Sequence, residues 1–324
     1  MYDLIIIGSG PSGLSCGLAA HKAGLNYLIL EKGYITNSIY NYPISMVFFT
    51  TRELIEIGDY PLTIVNAKPT REEALRYYAR FVSDHAIKIN TYEEVLSVEG
   101  QNGHFKVSTK IPSGQTNKYG TKKIIFATGV FDNPQMLNVP GEDLSKVSHY
   151  YKEAHPYVGK KVLVVGGRNS SAESALDLYR SGAEVTLAVR EDAFSHLKYW
   201  VKPDLLNRIK EGSIQCHYRS LVKEIRDYDV DLNIEDGSTL TLENEFVLAL
   251  TGFKPNGKLL RGLGVQIRDE DLKPEHDPET LETNVAGVYI AGVITAGMES
   301  SLVFIENGRF HGGKIVPHII EALN

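Results

Sequence analysis

Short β-branched and apolar runs alternate along this chain with helix-forming stretches and glycine-rich turns, the rhythm of an α/β protein. Asp3 to Ile7 is the first such run. It feeds Gly8-Ser9-Gly10-Pro11-Ser12-Gly13, which opens an alanine-rich helical segment ended by Gly24. A second strand, Tyr27 to Leu30, follows and ends in Glu31. Thr70 with Glu73 three residues on reads as a capping box ahead of another helix. Tyr92 to Thr109 is an extended stretch turned near Asn102-Gly103, and Lys123 to Phe126 is a buried strand running into the small, tight turn Ala127-Thr128-Gly129.

The pattern then repeats. Val162 to Val165 is a strand, Gly166-Gly167-Arg168-Asn169-Ser170-Ser171 a loop, the stretch toward Gly182 a helix, and Glu184 to Val189 the next strand. Asp236-Gly237 predicts a hairpin. Phe246 to Leu250 ends in Thr251-Gly252-Phe253-Lys254-Pro255-Asn256, an echo of the earlier turn. Val288 to Gly292 is one more buried strand, and 300–315 reads as a helix carrying Gly308, Gly312 and Gly313. That last strand needs a sheet, and returning to the first domain supplies one. The fold expected is therefore α/β with two Rossmann-like dinucleotide-binding domains: residues 1–133 with 256–324 form one, and residues 134–255 form the second, inserted into the first.

The first loop has a specific chemistry. Gly8 permits the tight turn, Gly10 lets backbone approach a pyrophosphate, and Gly13 allows helix and strand to pack closely, while the helix N-terminus supplies unpaired N–H groups. Glu31 stands where a carboxylate accepts a hydrogen bond from a ribose hydroxyl. The motif alone does not choose between NAD and FAD. In the second loop Arg168 replaces the middle glycine and Ser171 the last one. Where an NAD site places an acid, the chain has Arg190, suited to the 2′-phosphate of NADP, with Arg168 able to add to it.

The 324-residue length suits two cores. With 43% hydrophobic and 23% charged residues the chain reads as globular, and no apolar stretch is long enough to cross a bilayer. The start has neither a basic region nor a cleavage site, so no signal peptide is expected. A net charge of -6 argues against nucleic-acid or membrane partners. Cys16 and Cys216 are far apart, which argues against a disulfide framework or a cysteine metal site and for a reducing cytoplasm. No metal is expected.

Three strings are far more specific than a glycine loop: 38–43 (SIYNYP), 149–157 (HYYKEAHPY) and 304–313 (FIENGRFHGG). Through them nearly the whole chain resembles the thioredoxin-reductase-like flavoprotein disulfide reductases, and within these the bacillithiol disulfide reductases of bacteria. The resemblance implies FAD on the first fold, with contacts at Gly8, Gly10, Pro11, Ser12, Gly13, Glu31, Lys32, Val95, Ala127, Thr128, Gly129 and Gly292, and with Tyr40 and Asn41 near the isoalloxazine. It implies NADPH on the second, at Gly166, Gly167, Arg168, Asn169, Ser170 and Arg190. A homodimer and a low-molecular-weight disulfide substrate are implied likewise.

As in those relatives, Val293 follows Gly292, where thioredoxin reductases have an aspartate for the ribityl chain; the departure from the relatives is Ser12, which stands where they carry the loop cysteine proposed to meet the disulfide. A hydroxyl cannot undertake thiol exchange. Cys16 lies on the same helical face, roughly 6 Å further along the axis, near an N-terminus that favours a thiolate. A small thiol packing helix against sheet is the commoner fate of such a residue. His149, His155 and His311 fall in the family-like strings and are as well suited to structural hydrogen bonds as to proton transfer. The expected function is NADPH-driven reduction of a disulfide such as bacillithiol disulfide. Transfer to a ferredoxin or flavodoxin, which needs no active-site thiol, is the alternative; a flavin monooxygenase or a non-catalytic flavin-binding module ranks lower.

Overall fold

Leu4, Ile5, Ile6 and Ile7 are all buried, as a strand covered on both faces requires. In the computed structural model, which describes residues 1–323, they end strand β1 (Tyr2–Ile7), and helix α1 (Pro11–Lys22) leads from it to β2 (Tyr27–Leu30). Helices α2 (Asn37–Tyr40) and α3 (Arg71–Asp84) follow. After them come β3 (Ile89–Asn90), β4 (Glu94–Gln101), β5 (His104–Lys110) and β6 (Thr116–Phe126). Thr70 caps α3 as its sequence predicts: the Glu73 N–H donates to Thr70 Oγ1, and the Thr70 N–H donates back to Glu73 Oε2 at 2.8 Å.

The chain divides into two compact units, Met1–Asn133 with Phe253–Asn324 and Pro134–Gly252. Phe253 packs on Phe131 with ring centroids 4.6 Å apart, and the Lys254 N–H donates to the Asn133 carbonyl, so residues 253–255 lie with the first unit.

The second unit begins with β7 (Val147–Ser148), β8 (Lys161–Val165), α4 (Asn169–Arg180), β9 (Glu184–Ala188), α5 (Lys202–Lys210) and β10 (Gln215–His217). It closes with β11 (Ser220–Ile225), β12 (Asp229–Ile234), β13 (Thr239–Glu243) and β14 (Phe246–Ala249). The parallel sheet runs β10-β9-β8-β14-β7, and β11-β12-β13 form a separate antiparallel sheet whose second turn holds Asp236-Gly237. Val162 and Val164 of β8 point to the core shared with α4, while Leu163 and Val165 pack with Val222, Val230 and Leu232 of the small sheet.

Back in the first unit come α6 (Lys258–Gly262), β15 (Val288–Ile290), α7 (Ile305–Gly308) and α8 (His311–Glu321). Its sheet runs β3-β2-β1-β6-β5-β4, with β15 paired parallel to β6. Strand β6 serves three partners: residues 116–121 pair antiparallel with β5, and Lys123–Phe126 lie between β1 and β15. Alternation along β1 sends Leu4 and Ile6 to the helical side, with Leu14, Phe81 and Ile315, and Ile5 and Ile7 to the opposite core.

The single helix expected over 300–315 is broken. Phe304 is extended, α7 is one turn long, and the Arg309 carbonyl is taken by the Ser15 hydroxyl, which turns the chain before α8 begins. Among the described residues no helix is long and apolar enough to cross a membrane.

Candidate functional site

In the first unit the loop after β1 is shaped by two close approaches. Gly8 has φ +106°, and a Cβ there would stand 2.4 Å from the Ala127 carbonyl oxygen; one on Gly13 would stand 2.1 Å from the Gly8 oxygen. Neither position admits a side chain. Gly10 is the opposite case: among the described residues no heavy atom comes within 4 Å of a Cβ built there. It is the N-cap of α1, which has Pro11 in its first turn and no side-chain cap, so the first-turn N–H groups are left for an anion. Ala127, Thr128 and Gly129 follow the end of β6 beside this loop.

Glu31 is buried at the end of β2. Its Oε2 accepts the Ser9 N–H at 2.8 Å and the Ser9 hydroxyl at 3.0 Å, and its Oε1 accepts the Gly33 N–H at 2.8 Å. A carboxylate offers about four acceptor positions, so one stays open for a ribose hydroxyl. Lys32 pairs with Asp132 at 3.0 Å. Val95 lies half-buried on β4. Tyr40 is exposed at the end of α2, its ring 4.4 Å from that of Tyr34 and its carbonyl held by Arg71, and Asn41 Nδ2 donates to the Asn37 carbonyl at 2.9 Å. An open glycine, an uncapped helix start and a buried acid with a free lone pair fit a dinucleotide such as FAD.

Position 12 sits at a junction. A Cβ on either Gly292 or Gly308 would come 2.7 Å from Ser12 Oγ, so the two glycines leave room for this side chain between α1, the turn after β15 and α7. Gly292 has φ +77°, and its N–H donates to His311 Nδ1 at 3.0 Å. Burial, then the charges of Lys314 and His276, push the His311 imidazole down to about 4. It is therefore neutral at pH 7, with Nδ1 the acceptor and Nε2 carrying the proton. Glu142 lies 3.3 Å from His149, and His155 opens a 3-10 turn; both histidines belong to the second unit, away from this loop in sequence.

Cys16 takes the commoner of its two readings, the small packing thiol. The helix N-terminus does not favour a thiolate there, because the residue is wholly buried where α8 meets α1 so closely that a Cβ on Gly312 would stand 2.5 Å from the Ser15 oxygen. Desolvation wins, and the thiol is pushed up to about 12. Burial likewise raises Cys216, to about 11.

In the second unit Gly166 has φ +138°, and a Cβ there would meet the Leu250 carbonyl oxygen at 2.6 Å. Ser171, in the place of the last glycine, is fully buried and donates to the Arg168 carbonyl at 2.7 Å. Asn169 and Ser170 begin α4, which has Arg168 as N-cap without a side-chain cap, and Asn169 Oδ1 accepts the Lys198 N–H. Arg190 is exposed and pairs with Glu191 at 3.0 Å. Residue types alone did not single out Glu191, nor Glu93, a buried carboxylate that accepts from Asn90, Thr109, Asn117 and Tyr119 and whose own N–H donates to the Glu31 carbonyl at 2.8 Å.

Comparison with known proteins agrees with this geometry. The sequence model of the pyridine nucleotide-disulphide oxidoreductase family matches residues 5–292. Bacilliredoxin reductase Bdr of Bacillus subtilis is 43% identical over 322 residues, 99% of this chain and 98% of that protein. Among solved structures, the bacillithiol disulfide reductase Bdr of Bacillus cereus superimposes with a TM-score of 0.97 at 42% identity, covering 99% of each chain. The same enzyme from Staphylococcus aureus does so with a TM-score of 0.94 at 37% identity, over 100% of this chain and 99% of that one.

Proposed function

The chain belongs to the pyridine nucleotide-disulphide oxidoreductase family, and from that premise we propose that it carries electrons from NADPH to a low-molecular-weight disulfide of the bacillithiol class. It is an NADPH-dependent flavoprotein oxidoreductase. FAD, when bound, supplies the two-electron relay between coenzyme and acceptor.

The first unit is the FAD fold in this reading and the second the NADPH fold. Gly8, Gly10, Pro11, Ser12 and Gly13, with the start of α1, hold the flavin diphosphate. Glu31 takes the ribose hydroxyl. In the second unit Gly166, Gly167, Asn169 and Ser170 hold the coenzyme diphosphate, and Arg168 and Arg190 take the 2′-phosphate. His311 fixes the Gly292 N–H, so the backbone beside Ser12 keeps one orientation.

Reduction of the acceptor breaks one S–S bond and makes two thiols, consuming two electrons and two protons. Ser12 offers no sulfur for exchange, and the buried Cys16 offers none that ionises near neutral pH. Electrons therefore reach the disulfide without a thiol from either position. The observation that carries the reading is end-to-end likeness to solved enzymes named for bacillithiol disulfide. A reducing, cytoplasmic setting agrees with the two free cysteines. A homo-oligomer is the assembly we infer, supported by the exposed apolar side chains of Phe49, Leu302, Phe304 and Phe310.

The test is anaerobic. Enzyme reduced with NADPH is mixed rapidly with bacillithiol disulfide while the flavin absorbance is followed. Prompt reoxidation is the expected result. A flavin that stays reduced with the disulfide but is reoxidised by ferredoxin or flavodoxin would transfer the assignment to those acceptors.

A further inference from the structure

We propose that Glu191 sets the coenzyme selectivity of the second unit by occupying Arg190, an arginine that a 2′-phosphate needs. The proposal rests on the reading of that unit as the NADPH fold. Arg190 holds Glu191 Oε1 at 3.0 Å. The other carboxylate oxygen lies 3.3 Å from where a Cβ on Gly167 would stand, which puts the acid, about half exposed, beside the glycine loop.

The backbone keeps it there. The Arg219 N–H donates to the Glu191 carbonyl at 3.1 Å, and the Ser220 N–H donates to the Val189 carbonyl at 3.1 Å, so the chain is tied on both sides of Arg190. Partial burial works to raise the Glu191 carboxyl. The bond from Arg190, one from its own N–H, and the charges of Arg190 and Arg168 outweigh it, and the group stays ionised.

Arg190 is thus paired with a carboxylate before any coenzyme arrives. A 2′-phosphate must share or displace that acid, whereas the 2′-hydroxyl of NADH can donate to it. A carboxylate roughly 6 Å from a phosphate that carries between one and two negative charges weakens binding about three- to tenfold in water. Discrimination between NADPH and NADH is therefore narrow in this protein, and Glu191 is the residue that narrows it.

The test is calorimetric titration of the oxidised, FAD-loaded protein with 2′,5′-ADP and with 5′-AMP, for the wild type, Glu191→Gln and Arg190→Gln. For Glu191→Gln we expect 2′,5′-ADP to bind about three- to tenfold tighter and 5′-AMP to bind no tighter than to the wild type. Arg190→Gln moves 2′,5′-ADP in the opposite direction. The steady-state ratio of kcat/KM for NADPH over NADH rises in parallel in Glu191→Gln. An unchanged ratio of the two ligand affinities in Glu191→Gln, with both still bound, overturns the role of Glu191 and leaves the coenzyme fold standing. Failure of both ligands to bind the wild type overturns the coenzyme fold and this proposal with it.

Discussion

His311 accepts the backbone N–H of Gly292 through Nδ1, at 3.0 Å. A protonated imidazole cannot accept that bond, so acid attacks this contact directly. In the fold, burial and then Lys314 and His276 lower the imidazole from its ordinary 6.5 to about 4. A base depressed in this way binds its proton more readily in the unfolded chain, so its contribution is complete above pH 6.5 and is lost as pH falls toward 4. The full loss is at most roughly 3 kcal/mol. Thermal melts of the FAD-loaded protein between pH 7 and pH 4.5 should show the decline. His311→Asn, whose amide oxygen can still accept, should flatten it; equal slopes in the two proteins would remove His311 from the account.

How much of this could be read in the sequence differs by kind of contact. The strand, loop and helix succession was legible because local pattern dictates it: four consecutive buried residues end β1, and Gly8 and Gly13 recur at the spacing that a tight turn and a close helix demand. The capping box at Thr70 is local in the same sense. What escaped is long-range. Glu93 reads as one of two adjacent surface acids, and only the sheet brings it Asn90, Thr109, Asn117 and Tyr119. The break in the expected 300–315 helix likewise depends on Ser15, 294 residues before the carbonyl it binds. Cys16 had two readings, and the packing of α8 decides for the small buried thiol over the thiolate that helix position alone would favour.

Glu93 should behave as an anchor of the first unit. Burial works to raise its carboxyl, and the hydrogen bonds from Thr109, Asn117, Tyr119 and Asn90 more than compensate, so it stays ionised below the ordinary range. Glu93→Ala strands four donors, Thr109 buried and Asn90, Asn117 and Tyr119 half-buried, and should cost about 3 kcal/mol. Glu93→Gln keeps the shape and should cost less. The backbone N–H of residue 93, which alanine keeps, holds the Glu31 carbonyl, so loss of the side-chain network that anchors this segment should loosen that bond and release FAD more readily. Denaturant melts and flavin fluorescence measure both, and a melt unchanged in Glu93→Ala would show the network to be unimportant.

Position 12 and Cys16 make a paired expectation. Native protein treated with iodoacetamide should leave Cys16 unmodified, since the thiol is buried and raised to about 12. Cys16→Ala should keep disulfide turnover within about twofold and cost about 1 kcal/mol of stability, as a small core truncation. Ser12→Cys places sulfur in the first turn of α1, where the helix N-terminus lowers a thiol's pKa, and should add one rapidly alkylated site. Loss of turnover in Cys16→Ala with an unchanged melt would restore that thiol to the mechanism.

The two glycine loops differ where they pack, and substitution should expose the difference. A Cβ at position 13 would lie 2.1 Å from the Gly8 carbonyl oxygen, a backbone atom that cannot yield without moving the loop. Ser171 holds the equivalent place in the second unit and already carries a buried side chain, its hydroxyl bonded to the Arg168 carbonyl at 2.7 Å. Helix and strand must therefore stand further apart there. Gly13→Ala should purify with little flavin, or bind it more than tenfold more weakly, a loss of over 1.4 kcal/mol. Ser171→Gly should keep flavin content unchanged and lose only the hydrogen bond and a small volume, about 1 kcal/mol. Flavin-to-protein absorbance ratios and melting curves decide it. If Gly13→Ala retains full flavin, the close approach seen at Gly8 does not govern the loop, and the contrast between the two folds has another origin.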